Sequence, residues 1–234
     1  MYLKFKIERN IYICIIKLMN IVNIVHRLLG DPVDFYRRGV KILIPLLYKI
    51  KYHGFENIPE TGPAILICNH VSYMDGLIID SACKRKVRFI IDENIYNVPG
   101  VKYFMGLYGA IPIQPNRKSV ERALGDVSRA LKNGDLVCIF PEGQLTYTGN
   151  MSRFRFGIEW MIKNDPVPIV PIALKGLWGS IFSRKYRRSR FRWFPRSFRR
   201  RVALSCGKPI YPNEAKVSLL QRRIMHLKND IELK

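Results

Sequence analysis

The chain has 234 residues, 48% hydrophobic and 25% charged, the composition of a globular protein, which excludes wholesale disorder, and no self-similar period marks a repeat array. Forty Lys and Arg against eighteen Asp and Glu leave a formal charge of +22, a field that draws polyanions: nucleic acid, anionic lipid headgroups or an acidic protein partner. Five cysteines, at 14, 68, 83, 138 and 206, include no C-x-x-C pair and no zinc-ligand spacing, so they read as small buried hydrophobes in a reducing compartment, with no metal site expected.

The first predicted element is a helix over residues 11–29, IYICIIKLMNIVNIVHRLL. Apolar residues at 11, 14, 15, 18, 22, 25 and 29 form one stripe, and Lys17, Asn20, Asn23 and Arg27 gather opposite. Lys17 interrupts the apolar run, which argues against a membrane span, and no small-residue cleavage site follows as a signal peptide would need. A basic flank (Lys4, Lys6, Arg9) and a broad apolar face describe a helix lying in a membrane interface; the competing reading is a helix packed on the protein's own core. After Gly30-Asp31-Pro32 a second basic, apolar helix is predicted over 34–47, with Pro45 expected to end or kink it. Residues 1–46 are therefore read as an amino-terminal two-helix membrane-interface segment.

From residue 48 the texture changes. Short apolar runs at 48–53, 64–68, 87–91, 109–113, 136–140, 169–174 and 202–206 read as strands, several buried on both faces. The clearest helix between them is 119–132, with Ser119 as its cap and Asn133-Gly134 as its stop. Strands alternating with helices predict an α/β fold over 47–212, with a mixed, largely parallel central sheet flanked by helices. Residues 213–234 should add a helix, about 214–232, packed on that body.

Functional groups in such folds collect at the carboxyl ends of strands, and four segments stand out there. The run 64–68 ends in Asn69-His70-Val71-Ser72-Tyr73-Met74-Asp75. A histidine with a carboxylate on its second nitrogen is a base with a fixed tautomer, although Asp75 could equally cap the following helix. The run 136–140 ends in Phe140-Pro141-Glu142-Gly143, where a glycine lets a backbone approach a ligand; a plain turn is the alternative. Gly109 to Arg117 ends with an arginine before a helix, able to grip phosphate bidentately or simply solvated. Val167-Pro-Ile-Val-Pro171 reads as a wall.

Together, in this order, these segments resemble the glycerolipid acyltransferase family, over roughly residues 48–210. The resemblance implies that His70 is the general base, oriented by Asp75, and that Arg117, Glu142 and Gly143 bind the acceptor. It implies transfer of a fatty acyl group from an acyl thioester, acyl-CoA or acyl-carrier protein, to a lysophospholipid or lysophosphatidate hydroxyl, with no cofactor. Ser72 is given no nucleophilic role. Two departures remove positive charge. The family's common pattern continues F-P-E-G-T-R, whereas Gln144-Leu145-Thr146 follows here, and Pro115 stands where a basic residue is common. The form is similar to the acyltransferase domain of the 2-acylglycerophosphoethanolamine acyltransferases and tilts the expected acceptor toward a lysophospholipid.

Residues 184–201, RKYRRSRFRWFPRSFRRR, hold ten basic residues, no acid and five aromatics. Arg187, Arg188, Arg190, Trp193 and Phe194 are expected to meet an anionic bilayer or an acidic acyl-carrier protein, and no nucleic-acid partner is expected. The expectation for the whole chain is a membrane-associated enzyme with its site on the cytoplasmic face. The rival is a non-catalytic basic module, binding membrane or nucleic acid, on the same fold.

Overall fold

The structure, a computed structural model, describes residues 32–180, 182–186 and 199–233. The predicted helix over 11–29 and the residues Arg187, Arg188, Arg190, Trp193 and Phe194 lie outside the described residues.

Seven strands form one mixed sheet in the order β1-β7-β6-β2-β5-β3-β4. They are β1 (Tyr48–His53), β2 (Ala64–Cys68), β3 (Val87–Asp92), β4 (Ile111–Ile113), β5 (Leu136–Ile139), β6 (Ile169–Lys175) and β7 (Arg200–Cys206). Strands β6, β2, β5, β3 and β4 are mutually parallel, so their carboxyl ends share one edge. Strand β7 runs antiparallel to β6, and β1 follows β7. The helices are α1 (Pro32–Leu47), α2 (Asp75–Ala82), α3 (Glu93–Tyr96), α4 (Pro99–Leu107), α5 (Arg117–Lys132), α6 (Gly157–Asn164) and α7 (Val217–Asp230).

The central strand β2, AILIC, is buried at every position, and its alternation divides the core in two. Leu66 and Cys68 face a layer with Val40 and Ile44 of α1 and Ile78 and Ile79 of α2. Ile65 and Ile67 face the other, with Val127 of α5, Met161 of α6 and Leu220 and Ile224 of α7. A sheet covered on both sides must be apolar on both sides, which is why β2 and β6 read as unbroken hydrophobic runs.

Several element boundaries differ from the sequence reading. The 119–132 helix starts at Arg117, because the side chain of Asn116 is its cap and accepts from Ser119 N at 2.9 Å. Ser119 is not a cap: it is buried, and its hydroxyl accepts from Gln114 N at 2.9 Å. Helix α1 starts at Pro32, two residues before the expected 34, and runs through Pro45 to the expected end at Leu47, since a proline in the last turn forfeits a single backbone bond. The carboxy-terminal helix is shorter than expected, Val217–Asp230.

Helix α1 has two unlike faces. One carries Val40 and Ile44 into the core, and the other leaves Ile42, Leu43, Leu46 and Leu47 exposed. A buried carboxylate anchors it. Asp80 of α2 is wholly buried; its Oδ2 accepts from Arg37 Nε at 3.3 Å and from Tyr108 Oη at 2.9 Å. The Arg37 guanidinium also donates to the carbonyls of Cys83 at 3.1 Å and Arg85 at 2.9 Å, just past the α2 carboxyl end. Tyr36 stacks on Phe104 of α4 with centroids 4.8 Å apart. Burial, helped by the Asp80 charge, pushes the Tyr36 hydroxyl up to about 12. Removing one partner of a buried ion pair strands the other. Arg37→Ala should therefore cost about 3–5 kcal/mol, read as a lowered urea midpoint, whereas Arg38→Ala, on the exposed side of α1, should leave it within about 0.5 kcal/mol.

Candidate active site

Strand β2 hands the chain to the site under tight restraint. Asn69, 1% exposed, donates to the Leu174 carbonyl at 3.0 Å and accepts from Leu174 N at 2.8 Å. Its amide thus clips the end of β2 to β6, immediately before His70. His70 Nδ1 lies 2.8 Å from Asp75 Oδ2. The same oxygen accepts from Val71 N at 2.6 Å and Ser72 N at 2.9 Å. Asp75 is wholly buried and opens α2, yet it caps nothing within that helix: its donors are the loop that precedes it. A carboxylate beside Nδ1 selects the Nδ1–H tautomer and leaves the Nε2 lone pair free. Nε2 makes no hydrogen bond among the described residues, and the His70 side chain is 20% exposed. The geometry is that of a base with its orienter.

The F-P-E-G turn after β5 braces the same histidine. Phe140 stacks on the imidazole, centroids 4.0 Å apart at 14°. Glu142, 2% exposed, takes His70 N on Oε1 at 2.7 Å and Ser152 N on Oε2 at 2.6 Å. Thr146 N donates to the His70 carbonyl at 3.0 Å. Burial raises the Glu142 carboxyl above its ordinary value, against the pull of the two backbone donors. Expected to bind the acceptor, Glu142 is buried, and each of its oxygens accepts from one backbone N–H.

The other expected site residues fall as follows. Gly143 is exposed at φ 67°, in the left-handed region that favours glycine, and the Arg155 side chain lies against it. Arg117, at the start of α5 near the sheet's far strand β4, is 90% exposed and pairs with Glu121 at 2.7 Å. Three strand spacings, about 14 Å, separate β2 from β4. Ser72 is wholly buried, with its Oγ accepting from Met74 N at 3.2 Å, a placement unlike that of a nucleophile. Sequence reasoning missed Asn69 as a clip, Phe140 as a stacking partner and Ser152 as a donor. Asn69 and Phe140 stand within the quoted segments and were available to it; the Ser152 N–H that meets Glu142 carries no side-chain signal. Among the described residues no cluster of three or more His, Cys, Asp or Glu is arranged for a metal ion.

A doubly covered sheet with a His–Asp pair at the carboxyl end of its central strand defines an α/β protein with a polar site at one sheet edge. The family described as Acyltransferase matches residues 49–175, and the chain belongs to that family. It is 29% identical over 184 residues to a chloroplastic 1-acyl-sn-glycerol-3-phosphate acyltransferase of Arabidopsis thaliana, covering 72% of this chain and 51% of the relative. It is 26% identical over 145 residues to the Borreliella burgdorferi protein named 1-acyl-sn-glycerol-3-phosphate acyltransferase, covering 61% and 54%. The chain thus spans about half the length of these curated relatives. Among solved structures, the 1-acyl-sn-glycerophosphate acyltransferase PlsC of Thermotoga maritima superposes with a TM-score of 0.69 at 20% identity, over 96% of this chain and 91% of that one, which establishes a shared fold.

The Glu142 bracket makes a stability prediction. Glu142→Gln keeps an acceptor for one backbone N–H but turns an amide NH2 toward the other, and a buried donor without an acceptor costs about 1–3 kcal/mol. Because the folded protein raises the Glu142 carboxyl, it binds this proton more tightly than the unfolded chain does. The Glu142 contribution to stability is therefore complete below the ordinary value of 4.5 and is lost as pH rises through the raised one. Urea titrations from pH 4 upward should show that decline in the wild type and a flatter profile in Glu142→Gln.

Proposed function

We propose that the chain transfers a fatty acyl group from an acyl thioester to the free glycerol hydroxyl of a 1-acylglycerol 3-phosphate. The observation that carries this reading is the 2.8 Å His70–Asp75 contact with the opposite ring nitrogen open. His70 Nε2 takes the hydroxyl proton as the oxygen attacks the thioester carbonyl. The carbon–sulfur bond then breaks, the ester forms, and the thiolate leaves with the proton returned from the imidazolium. Asp75 stabilises the imidazolium in between. The transfer is direct, consistent with the buried Ser72 and with the absence of a G-x-S-x-G elbow from the sequence. Family membership supports the reaction class, and the names of the relatives favour a phosphomonoester acceptor over the lysophospholipid that the missing motif arginine suggested. Acyl-CoA and acyl-carrier protein both supply the required thioester.

Two tests follow. Full-length protein with 1-acylglycerol 3-phosphate and acyl-CoA should release free thiol. His70→Ala should lower that rate by at least about 10²-fold, the lower bound for general-base help, with an unchanged circular dichroism spectrum. Asp75→Asn should also lose most activity, because an amide supports imidazolium poorly. No thiol release from the wild type with any lysolipid and either donor would favour the rival, a non-catalytic basic module.

The acceptor is a lipid, and the exposed apolar face of α1 is our proposed contact with the bilayer. Ile42, Leu43, Leu46 and Leu47 recur at the spacing of one helix face, with Lys49 and Lys51 of β1 directly after them in the chain. Among the described residues no helix is long and apolar enough to cross a membrane; the contact assigned to α1 is interfacial because its opposite face, Val40 and Ile44, is held in the core. Leu43→Glu with Leu46→Glu should weaken binding in a vesicle co-sedimentation assay at least tenfold, since burying each leucine is worth about 1.5–3 kcal/mol. Both side chains are more than half exposed, so the thermal midpoint should hold. Unchanged sedimentation would reject the assignment.

A further inference from the structure

The family's common arginine after F-P-E-G is absent here, and Gln144 and Leu145 occupy those positions. The turn nevertheless carries a guanidinium. Arg155 N donates to the Pro141 carbonyl at 2.8 Å, which folds the chain back over the turn. The Arg155 side chain then crosses Gly143, with its Nε, Cδ and Cζ 2.7, 2.9 and 3.2 Å from the position a Cβ would take. No larger residue fits at 143 without moving the arginine. The Arg155 guanidinium is exposed and makes no hydrogen bond or ion pair among the described residues. No ion pair joins it to the acid of the same turn, Glu142, whose oxygens accept from backbone.

Two other arginines near these segments are engaged. Arg117 pairs with Glu121 at 2.7 Å. Arg184 donates to the Leu145 carbonyl at 3.0 Å and lies over the Tyr147 ring at 4.3 Å. Arg155 is the uncommitted fork on the turn that also supplies the Phe140 stack under His70. We propose that Arg155 binds the acceptor phosphate in this chain, replacing the missing motif arginine from a different point in the sequence, and that Gly143 is glycine to make room for it. The proposal rests on the acyl-transfer reading above and adds to it a residue that sets headgroup preference. A planar guanidinium matches two phosphate oxygens, and a dianionic phosphomonoester gains more from it than a zwitterionic phosphodiester.

The test compares wild type, Arg155→Gln, Arg155→Lys and Arg117→Gln as full chains in detergent micelles, with thiol release read against 1-acylglycerol 3-phosphate and 1-acylglycerophosphoethanolamine. Arg155→Gln should raise KM for the phosphomonoester by about 10–100-fold, the range for a hydrogen bond to a charged group, with kcat nearly unchanged and a smaller loss for the diester. Arg155→Lys, which keeps charge without the fork, should fall between. Arg117→Gln should raise KM less than Arg155→Gln. Arg155 has no folded partner to lose, so thermal midpoints should match. An active wild type whose Arg155→Gln variant keeps its KM and headgroup ratio overturns this proposal and leaves the acyl-transfer reading standing. If no thiol is released by the wild type, that reading fails, and calorimetry with glycerol 3-phosphate decides the phosphate site alone. Binding weakened at least tenfold in Arg155→Gln supports the site; equal binding, or none by the wild type, overturns it.

Discussion

Asp75 Oδ2 accepts from three donors at once: an imidazole N–H and two consecutive backbone N–H groups. Burying a carboxylate without partners would be prohibitive, so the turn 70–75 has little freedom to depart from the conformation that supplies them. The histidine is therefore placed by the solvation needs of a carboxylate, not by the flexibility of a loop. Asn69 on one side of His70 and the start of α2 on the other fix where that carboxylate can lie. The same bonds that stabilise the loop set the tautomer of the ring, so folding and preorganisation are a single event at this point of the chain.

Glu142 repeats the device from the neighbouring strand. Its two oxygens bind the backbone at His70 and Ser152, joining the ends of β2 and β5 to the segment that carries Arg155. The parallel pairing of β2 with β5 brings these strand ends side by side, and the carboxylate locks them there. Both acids of the site are buried and hold backbone or imidazole N–H groups. For a polyanionic acceptor this matters. A phosphate approaching His70 meets no exposed carboxylate of the site itself, so the excess positive charge of the chain acts unopposed.

The fold was legible because a central sheet buried on two sides writes itself as apolar runs, and β2, β5 and β6 appear in the sequence as ILIC, LVCI and IVPIAL. Edges were less legible. Strand β4 is three residues long, and the helix after it began two residues early because Asn116 outcompeted Ser119 as cap. The His70–Asp75 contact was legible, since a histidine and a carboxylate five residues apart leave side-chain signatures. Glu142 was legible as important, but its bracing of two backbone N–H groups was not. An acid beside a glycine looks the same on paper whether it faces a ligand or two backbone N–H groups, and the partners that decide the matter are amides common to every residue. Arg155 was invisible for a related reason: its relation to Gly143 depends on the chain doubling back between 143 and 155, which no local pattern announces.

Helix α1 connects these site arguments to the lipid. Arg37 binds the buried Asp80 and the carbonyls beyond the end of α2, while Asp75 opens that same helix. Five residues of α-helix, about 7.5 Å, therefore separate Asp80, the anchor of α1, from the carboxylate beside His70. With α1 held this rigidly, its exposed leucines and the His70 edge keep a fixed relation. On the proposed function that relation has a use. A lysolipid that leaves its acyl chain in the bilayer can raise only its headgroup, and the height at which Nε2 waits is set by α1, not by diffusion of the substrate into a deep pocket. The buried Arg37–Asp80 pair, which by itself is weak evidence for stability, is then explained by registration: it holds the membrane-facing helix and the catalytic turn as one body.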